Sequence, residues 1–394
     1  MIKILNKENC CGCTACFNIC PKKCISMQSD EEGFLYPIIE ESKCIDCGLC
    51  EKACPILNYK PINGKLPEAY VIRTKDKDDL MQSTSGGFST PLAQWFFNNE
   101  GSVWTASYDE DWKVVHRKFT KTGMEFSKTR GSKYVQSYLG DAYTRIQEEL
   151  KDDKWICFIG TTCQVYGLKQ FLGKDYEKLI TVDLVCHGTP SPKLWKKYID
   201  FQTKKYSSAI TEINFRNKTY GYHSGTMMLE FKNGKKYTGS ARVDYMLKSF
   251  FTEISSRPSC YECKFKNINR VSDFTVFDCW HMEDLLGKKD DDKGYTNVLV
   301  HTEKGRVIME KISDAYEVFH VDAEKAIALD GIMVCNSAIP HKDRKDFYKD
   351  LDENSLEDHI QKYIKITFKD KVLESIKGVA YKWGFMKLLR KLKG

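Results

Sequence analysis

The sequence predicts an α+β/α/β chain in two parts, a small cysteine-rich module and a larger α/β domain whose sheet is mixed and partly parallel. Three observations predict it. Ten of the seventeen cysteines fall between Cys10 and Cys54. Beyond residue 68, strand-sized apolar runs alternate with helical pieces, the pattern of a sheet covered by helices. From residue 210 onward the pattern changes, and the Asn233-Gly234 pair between two strand-like runs signals an antiparallel hairpin.

The cysteine-rich part repeats one spacing. CGCTACFNICP sets Cys10, Cys13, Cys16 and Cys20 in a C-x-x-C-x-x-C-x-x-x-C run closed by Pro21, and CIDCGLCEKACP sets Cys44, Cys47, Cys50 and Cys54 in the same run closed by Pro55. Three thiolates two residues apart fold around one face of a cubane, and the proline turns the chain toward a second one. Two such runs are the ligand pattern of a ferredoxin with two 4Fe-4S clusters, the fourth cysteine of each run serving the other cluster. Cys10, Cys13, Cys16 and Cys54 are therefore expected on one cluster, and Cys20, Cys44, Cys47 and Cys50 on the other. Zinc is the weaker reading, because it usually takes two C-x-x-C pairs without a third step and a trailing Cys-Pro. Disulfides would need an oxidising compartment, and no apolar signal segment precedes Cys10, so a reducing, oxygen-poor cytoplasm is expected. Cys11 and Cys24 are surplus and read as bystanders.

The 394 residues carry 61 basic and 54 acidic side chains, a net charge of +7, with 42% apolar residues. That is a globular chain with a sizeable core. No basic stripe with interleaved aromatics points to nucleic acid, and no run of eighteen apolar residues points to a membrane span. An acidic redox partner or an anionic cofactor suits the mild positive balance.

Along the chain the module fits residues 1–57, with a strand at Phe34 to Glu40. A linker at 58–67 carries Pro61, Gly64 and Pro67. Residues 68–210 read as strand AYVIRT, a helix to Asn98, strands VWTASY and VVHRKFT, a helix near 141–150, then strand KWICFIG, helix TTCQVYGLKQFL, strand LITVDLVC and helix SPKLWKKYIDF. That alternation indicates a largely parallel sheet. Residues 211–352 continue with the hairpin and the C-x-x-C loop. The tail, 353–394, ends in a basic helix with Phe385, Leu388, Leu389 and Leu392 on one face and Lys387, Arg390, Lys391 and Lys393 around it. Docking on its own domain is the favoured reading of that helix, and peripheral contact with a membrane surface is the alternative.

Three glycine-bearing turns fit a phosphate-bearing cofactor: STSGGFST (83–90), RGSKYVQS (130–137) and FIGTTCQVYGLK (158–169), the last at the carboxyl end of a buried strand, where open α/β sheets bind ligands. Of the seven later cysteines, Cys260 and Cys263 form a C-x-x-C pair, Cys186 follows one buried strand and Cys163 follows another. If those strands are adjacent and parallel, the four thiols form one site. A zinc site and plain buried thiols are the competing readings. His187, beside Cys186, is the one histidine placed to move a proton, against a structural role.

Together STSGGF, GSKYVQS, GTTCQ, DLVCHGTPSP, FRNKTYGYH, CYECKF and SDFTVFDCW, in this order, resemble the beta subunits of coenzyme F420-reducing hydrogenases and F420-dependent formate dehydrogenases, from about Glu68 to Asp350. The resemblance implies an iron-sulfur flavoprotein oxidoreductase with FAD near Ser85, Gly86, Gly87, Ser132, Lys133, Tyr134, Thr161, Thr162 and Gln164. Thr162 stands where the family usually has proline. The resemblance also points to Cys163, Cys186, Cys260 and Cys263 as ligands of a third 4Fe-4S cluster, with Cys279 the alternative for one position. It implies electron transfer between a redox carrier such as ferredoxin or F420 and an organic substrate. The alternative is a non-catalytic subunit delivering electrons to a large oxidoreductase partner.

Overall fold

The computed structural model describes residues 1–122 and 125–385. Strands are numbered in chain order. In the module, β1 (Ile25–Ser29) pairs antiparallel with β2 (Leu35–Ile39), between the two cysteine loops. The main sheet begins with β3 (Glu68–Thr74), β4 (Ser102–Tyr108), β5 (Val114–Phe119), β6 (Ile156–Thr161) and β7 (Leu179–Leu184). A separate antiparallel sheet holds β8 (Ile210–Asn217), β9 (Thr226–Phe231) and β10 (Lys236–Ser240). β9 and β10 form the hairpin expected at Asn233-Gly234, with Gly234 at a positive φ of 79°. The main sheet then takes β11 (Phe274–Cys279), β12 (Tyr295–Val300) and β13 (Tyr316–Val321).

The eight strands run in the order β13-β3-β12-β11-β7-β6-β4-β5. Only β4-β6, β6-β7 and β7-β11 are parallel pairs. The expectation of a largely parallel sheet over 68–210 therefore holds for its centre alone. β3 leaves its sequence neighbours to pair antiparallel with β12 and β13. A helix at Lys77–Gln82, capped by Asp76, was not foreseen.

Of the cores on the faces of this sheet, two bear on the site. One joins Phe88, Phe96, Ile159, Val182, Phe274 and Val298. The other joins Trp104, Phe158, Val165 and Leu168, and it continues into Cys13, Ala15 and Ala53 of the module. Phe34, fully buried, enters a third core with Leu194, Tyr198 and Tyr348. The module is thus packed into the larger domain on two sides.

The described part of the tail forms two helices, Leu356–Tyr363, which buries Leu356 and Ile360 in the core of Phe34, and Phe368–Lys382, which lies with its polar side inward. Glu374 accepts from the backbone N–H of Ser240 at 2.9 Å, and buried Lys377 donates to Thr226 Oγ1 at 2.8 Å. Phe368, Val372, Ile376, Val379 and Trp383, at helical spacing, face solvent. The face expected at Leu388, Leu389 and Leu392 lies outside the described residues.

Candidate redox site

Both cysteine runs fold the same way. Gly12 and Thr14 in the first copy, and the matching Asp46 and Gly48 in the second, all have positive φ. This alternation turns successive backbone N–H groups inward, which favours an anionic group held by the thiols. Cys20, Cys44, Cys47 and Cys50 line one cavity, and Cys10, Cys13, Cys16 and Cys54 line another. The fourth cysteine of each run crosses to the other group.

A third group of thiols gathers at the carboxyl edge of the sheet. Pairing of Thr161 with Leu184 levels the ends of β6 and β7. Cys163 opens the helix Thr162–Leu172, Cys186 lies two residues past β7, and Cys260 sits in the short helix Pro258–Tyr261. Cys186 is within electrostatic reach of Cys260, Cys163 and Cys263. Burial holds the Cys186 thiol well above its usual range and pushes Cys263 up to about 12, so both carry protons until a cation displaces them. Cys279 lies elsewhere, at the end of β11, where its charged neighbours are Asp330, Asp290 and Asp278. Among the described residues no three His, Cys, Asp or Glu side chains close on a single ion.

Cys11, read from sequence as a bystander, touches this group. Its thiol lies close enough to those of Cys13 and Cys163 for each to act electrostatically on the other. It lines both the cavity of Cys10, Cys13, Cys16 and Cys54 and the main cleft. The only sequence signal was its place inside the first loop. Gly167, one turn along the Cys163 helix, permits this approach, since a Cβ there would lie 3.0 Å from Cys13 Sγ.

The cleft beside these thiols encloses about 1050 Å3. Ser85, Gly87, Ser132, Lys133, Tyr134, Thr161, Gln164 and His187 line it, together with Cys163 and Cys186. Gly86 and Thr162 do not. The Gly86 N–H donates to Thr296 Oγ1 at 2.8 Å, and Thr162 Oγ1 accepts from buried Arg270 at 2.7 Å. Gly86 is there for close packing: a Cβ would press into the Ile72 carbonyl and sit 2.7 Å from Thr296 N. Gly86→Ala is expected to cost about 1–3 kcal/mol of stability, read by chemical denaturation. Gln164 caps its own helix, accepting from Thr161 N–H at 2.9 Å and donating to Ser137 Oγ at 2.9 Å.

Lys133 Nζ donates only to the carbonyls of Thr129 (2.8 Å) and Gly131 (3.3 Å), with no carboxylate partner among the described residues. Burial pushes its pKa down to about 7. His187 Nε2 lies 2.6 Å from Glu253 Oε1, and its ring packs on Phe250 and Phe251. Sequence reasoning missed Arg216, although FRNK was among the stretches quoted. Arg216 Nη1 pairs with Asp278 at 2.5 Å, its guanidinium lies 4.6 Å from the Trp280 ring centre, and Nη2 is buried without a partner at the cleft wall.

Residues 9–57 match the 4Fe-4S dicluster domain, and residues 153–325 match the C-terminal domain of the coenzyme F420 hydrogenase/dehydrogenase beta subunit. The chain joins these two domains. It is 25% identical over 325 residues to a coenzyme F420-dependent sulfite reductase of Methanocaldococcus jannaschii, covering 80% of this chain and 47% of that protein. It is 38% identical over 78 residues to a ferredoxin of Rickettsia felis, covering 19% of this chain and 65% of that protein. The chain thus spans about half the length of the sulfite reductase it matches. A chain of the F420-reducing [NiFe] hydrogenase complex from Methanosarcina barkeri superposes with a TM-score of 0.44 at 17% identity, over 79% of this chain and 96% of that one. Cys163, Cys186, His187, Arg216, Cys260 and Cys263 fall inside the beta-subunit match, and the Ser85 and Lys133 loops precede it. The dicluster match points to iron-sulfur redox chemistry in the first 57 residues, and the beta-subunit match covers the thiols beside the cleft. No helix among the described residues is long and apolar enough to cross a membrane.

Proposed function

We propose that the chain is an oxidoreductase dependent on FAD and 4Fe-4S clusters, passing electrons between a ferredoxin-type carrier, or F420, and an organic substrate. The observation that carries this is the position of Cys11, which lines both the cavity of Cys10, Cys13, Cys16 and Cys54 and the cleft walled by Cys163. Cys10, Cys13, Cys16 and Cys54, then Cys20, Cys44, Cys47 and Cys50, then Cys163, Cys186, Cys260 and Cys263, would hold three clusters. FAD in the cleft would supply the conversion between one-electron carriers and two-electron substrate chemistry. Lys133 and Arg216 would meet its negative charge, Ser85, Gly87 and the Ser132-to-Tyr134 turn would shape its bed, and Thr161 would present the start of the Cys163 helix. Glu253 holds one ring nitrogen of His187, leaving the other to carry a proton to the reacting edge. Anaerobic analysis of the reconstituted chain should find about one FAD and about twelve irons. Zinc without flavin overturns the reading.

Lys133 gives this proposal a pH signature. Its pKa of about 7 in the ligand-free protein means it is already charged at lower pH. Above that value an anionic cofactor must draw in a proton, so FAD affinity falls by up to about tenfold per pH unit. Fluorescence titration should show this slope, and Lys133→Met should bind more weakly with the slope removed. Lys218, also pushed down to about 7, donates to the carbonyls of Leu80 and Ser85 and does not line the cleft, so Lys218→Met should retain the slope.

The coverage of 47% of the sulfite reductase favours a second reading, in which the substrate chemistry belongs to a larger partner and this chain delivers electrons. Turnover of a small acceptor by the isolated chain decides between the two. The outward apolar stripe of the terminal helix supports peripheral contact with an anionic lipid surface. From Lys365 onward the sequence holds nine Lys or Arg and two Asp or Glu, so that segment carries the whole net charge of +7 and the rest is neutral. Apolar burial with flanking cations is how interfacial helices bind. The chain should float with phosphatidylglycerol vesicles and not with phosphatidylcholine vesicles, and the double substitution Ile376→Glu, Val379→Glu should abolish flotation.

A further inference from the structure

Five arginines are buried among the described residues, and four have carboxylate partners: Arg73 with Asp291, Arg216 with Asp278, Arg270 with Asp183, and Arg344 with Glu32. The fifth, Arg257, is 1% exposed and has none. Its donors go to neutral oxygens: Nε to the Cys10 carbonyl at 2.7 Å, Nη2 to the Leu35 carbonyl at 3.0 Å, and Nη1 to Gln136 Oε1 at 3.2 Å. Its guanidinium lies 4.1 Å from the Tyr36 ring centre. A charge taken out of water without an opposite charge is a strongly unfavourable arrangement, so a negative partner is to be expected. The groups that act on Arg257 as potential negative charges are Cys10, Cys11, Cys260 and Tyr36, and Cys163 feels it in turn. Gly12, whose Cβ would come within 3.0 Å of Arg257 Nη1, lets the first cysteine loop close around it.

We propose that Arg257 is the shared counter-cation of two iron-sulfur clusters, the one held by Cys10, Cys13, Cys16 and Cys54 and the one held by Cys163, Cys186, Cys260 and Cys263. The inference rests on the ligand sets proposed above. Four thiolates around a cubane leave a net negative charge, and one-electron reduction deepens it. A fixed cation between two such groups therefore stabilises both reduced forms and makes each cluster's charge felt at the other. Arg257 is a positioning and tuning residue: it touches neither substrate nor the reacting atoms of the flavin. The cavity of Cys20, Cys44, Cys47 and Cys50 has Lys22 and the Met1 terminus in its lining but not Arg257, so its cluster serves as an internal standard for changes at Arg257.

The test compares the full chain with Arg257→Gln, which keeps hydrogen-bond donors and loses the charge, and with Arg257→Lys, which keeps the charge. Each is reconstituted anaerobically with iron and sulfide, assayed for iron, and titrated with reductant under EPR. In Arg257→Gln the reduced-to-oxidised ratio of two clusters at a fixed poise should fall about tenfold, which is 59 mV for a one-electron couple, while the third stays put. Arg257→Lys should stay near wild type. Thermal unfolding before and after reconstitution gives a second reading: the stabilisation on loading should shrink in Arg257→Gln and survive in Arg257→Lys. Unchanged potentials at full iron content overturn the inference, as does an equal shift in both variants, which would mark Arg257 as a packing residue. Failure of Arg257→Gln alone to load iron, with Arg257→Lys loading fully, supports it, and failure of both overturns it. Wild-type iron well below about twelve per chain overturns the cluster assignment itself, which separates the two failures.

Discussion

Anaerobic reconstitution of the double variant Cys260→Ala, Cys263→Ala is expected to yield about eight irons per chain instead of about twelve, with FAD still bound. The loss should be confined to one cluster, because the two cavities of the module draw their eight cysteines from residues 10–54 alone. Reduction of the flavin through the ferredoxin module should fall by orders of magnitude, since the thiols between Cys11 and the cleft would no longer hold a carrier. Cys279→Ala is the matched control. Its thiol is buried at the end of β11 among aspartates, so full iron is expected to remain. A structural zinc in the same four thiols would leave the iron at about eight in the unsubstituted chain, which iron and zinc analysis on one sample resolves.

Removal of residues 1–57 is expected to prevent the remainder from folding. Phe34, fully buried, packs edge-on against Tyr348. Truncating one such ring costs about 3–5 kcal/mol, against a total stability of about 5–15 kcal/mol for a typical protein. Truncation would also strip Arg344 of its two contacts to Glu32, at 3.1 and 2.6 Å, and Arg257 of the Cys10 and Leu35 carbonyls. Asn18, which accepts from Thr144 N–H at 3.2 Å and donates to the Gly140 carbonyl at 2.9 Å, ties a third edge. A truncated chain that stays monomeric, unfolds cooperatively and binds FAD would show the module to be an appendage. Phe34→Ala in the full chain is the milder form of the experiment and should lower the denaturation midpoint.

What sequence revealed follows the range of the interactions involved. The two cysteine runs, the strands around Ile156 and Leu179, and the hairpin at Asn233-Gly234 are set by neighbours in the chain, and each was readable. β2 was readable as an apolar, strand-sized run, while β1, with the mixed sequence ISMQS, becomes a strand because it pairs with β2. The placement of β3 beside β12 and β13 depends on partners more than 200 residues away, which periodicity does not encode. The role of Cys11 depends on which helix reaches it, and that of Arg216 on where Asp278 and the cleft lie. The terminal helix docks on its own domain, but its described part does so by its polar side, for a physical reason. Amphipathic helices usually turn apolar residues inward, but Ser240 and Thr226 offer buried partners to Glu374 and Lys377, so the polar side docks.

The pairing of Arg344 with Glu32 spans 312 residues, and that separation matters during synthesis. At about 5–20 residues per second, the cysteine loops leave the ribosome roughly 15–60 s before the residues that enclose them. Until then the module has emerged without the Phe34 core or the Arg257 contacts, and its thiols face the cell unshielded. Metal delivery and chain completion therefore compete in time, and the yield of fully loaded protein should follow the supply of iron and sulfide during translation more closely than it follows the stability of the finished fold.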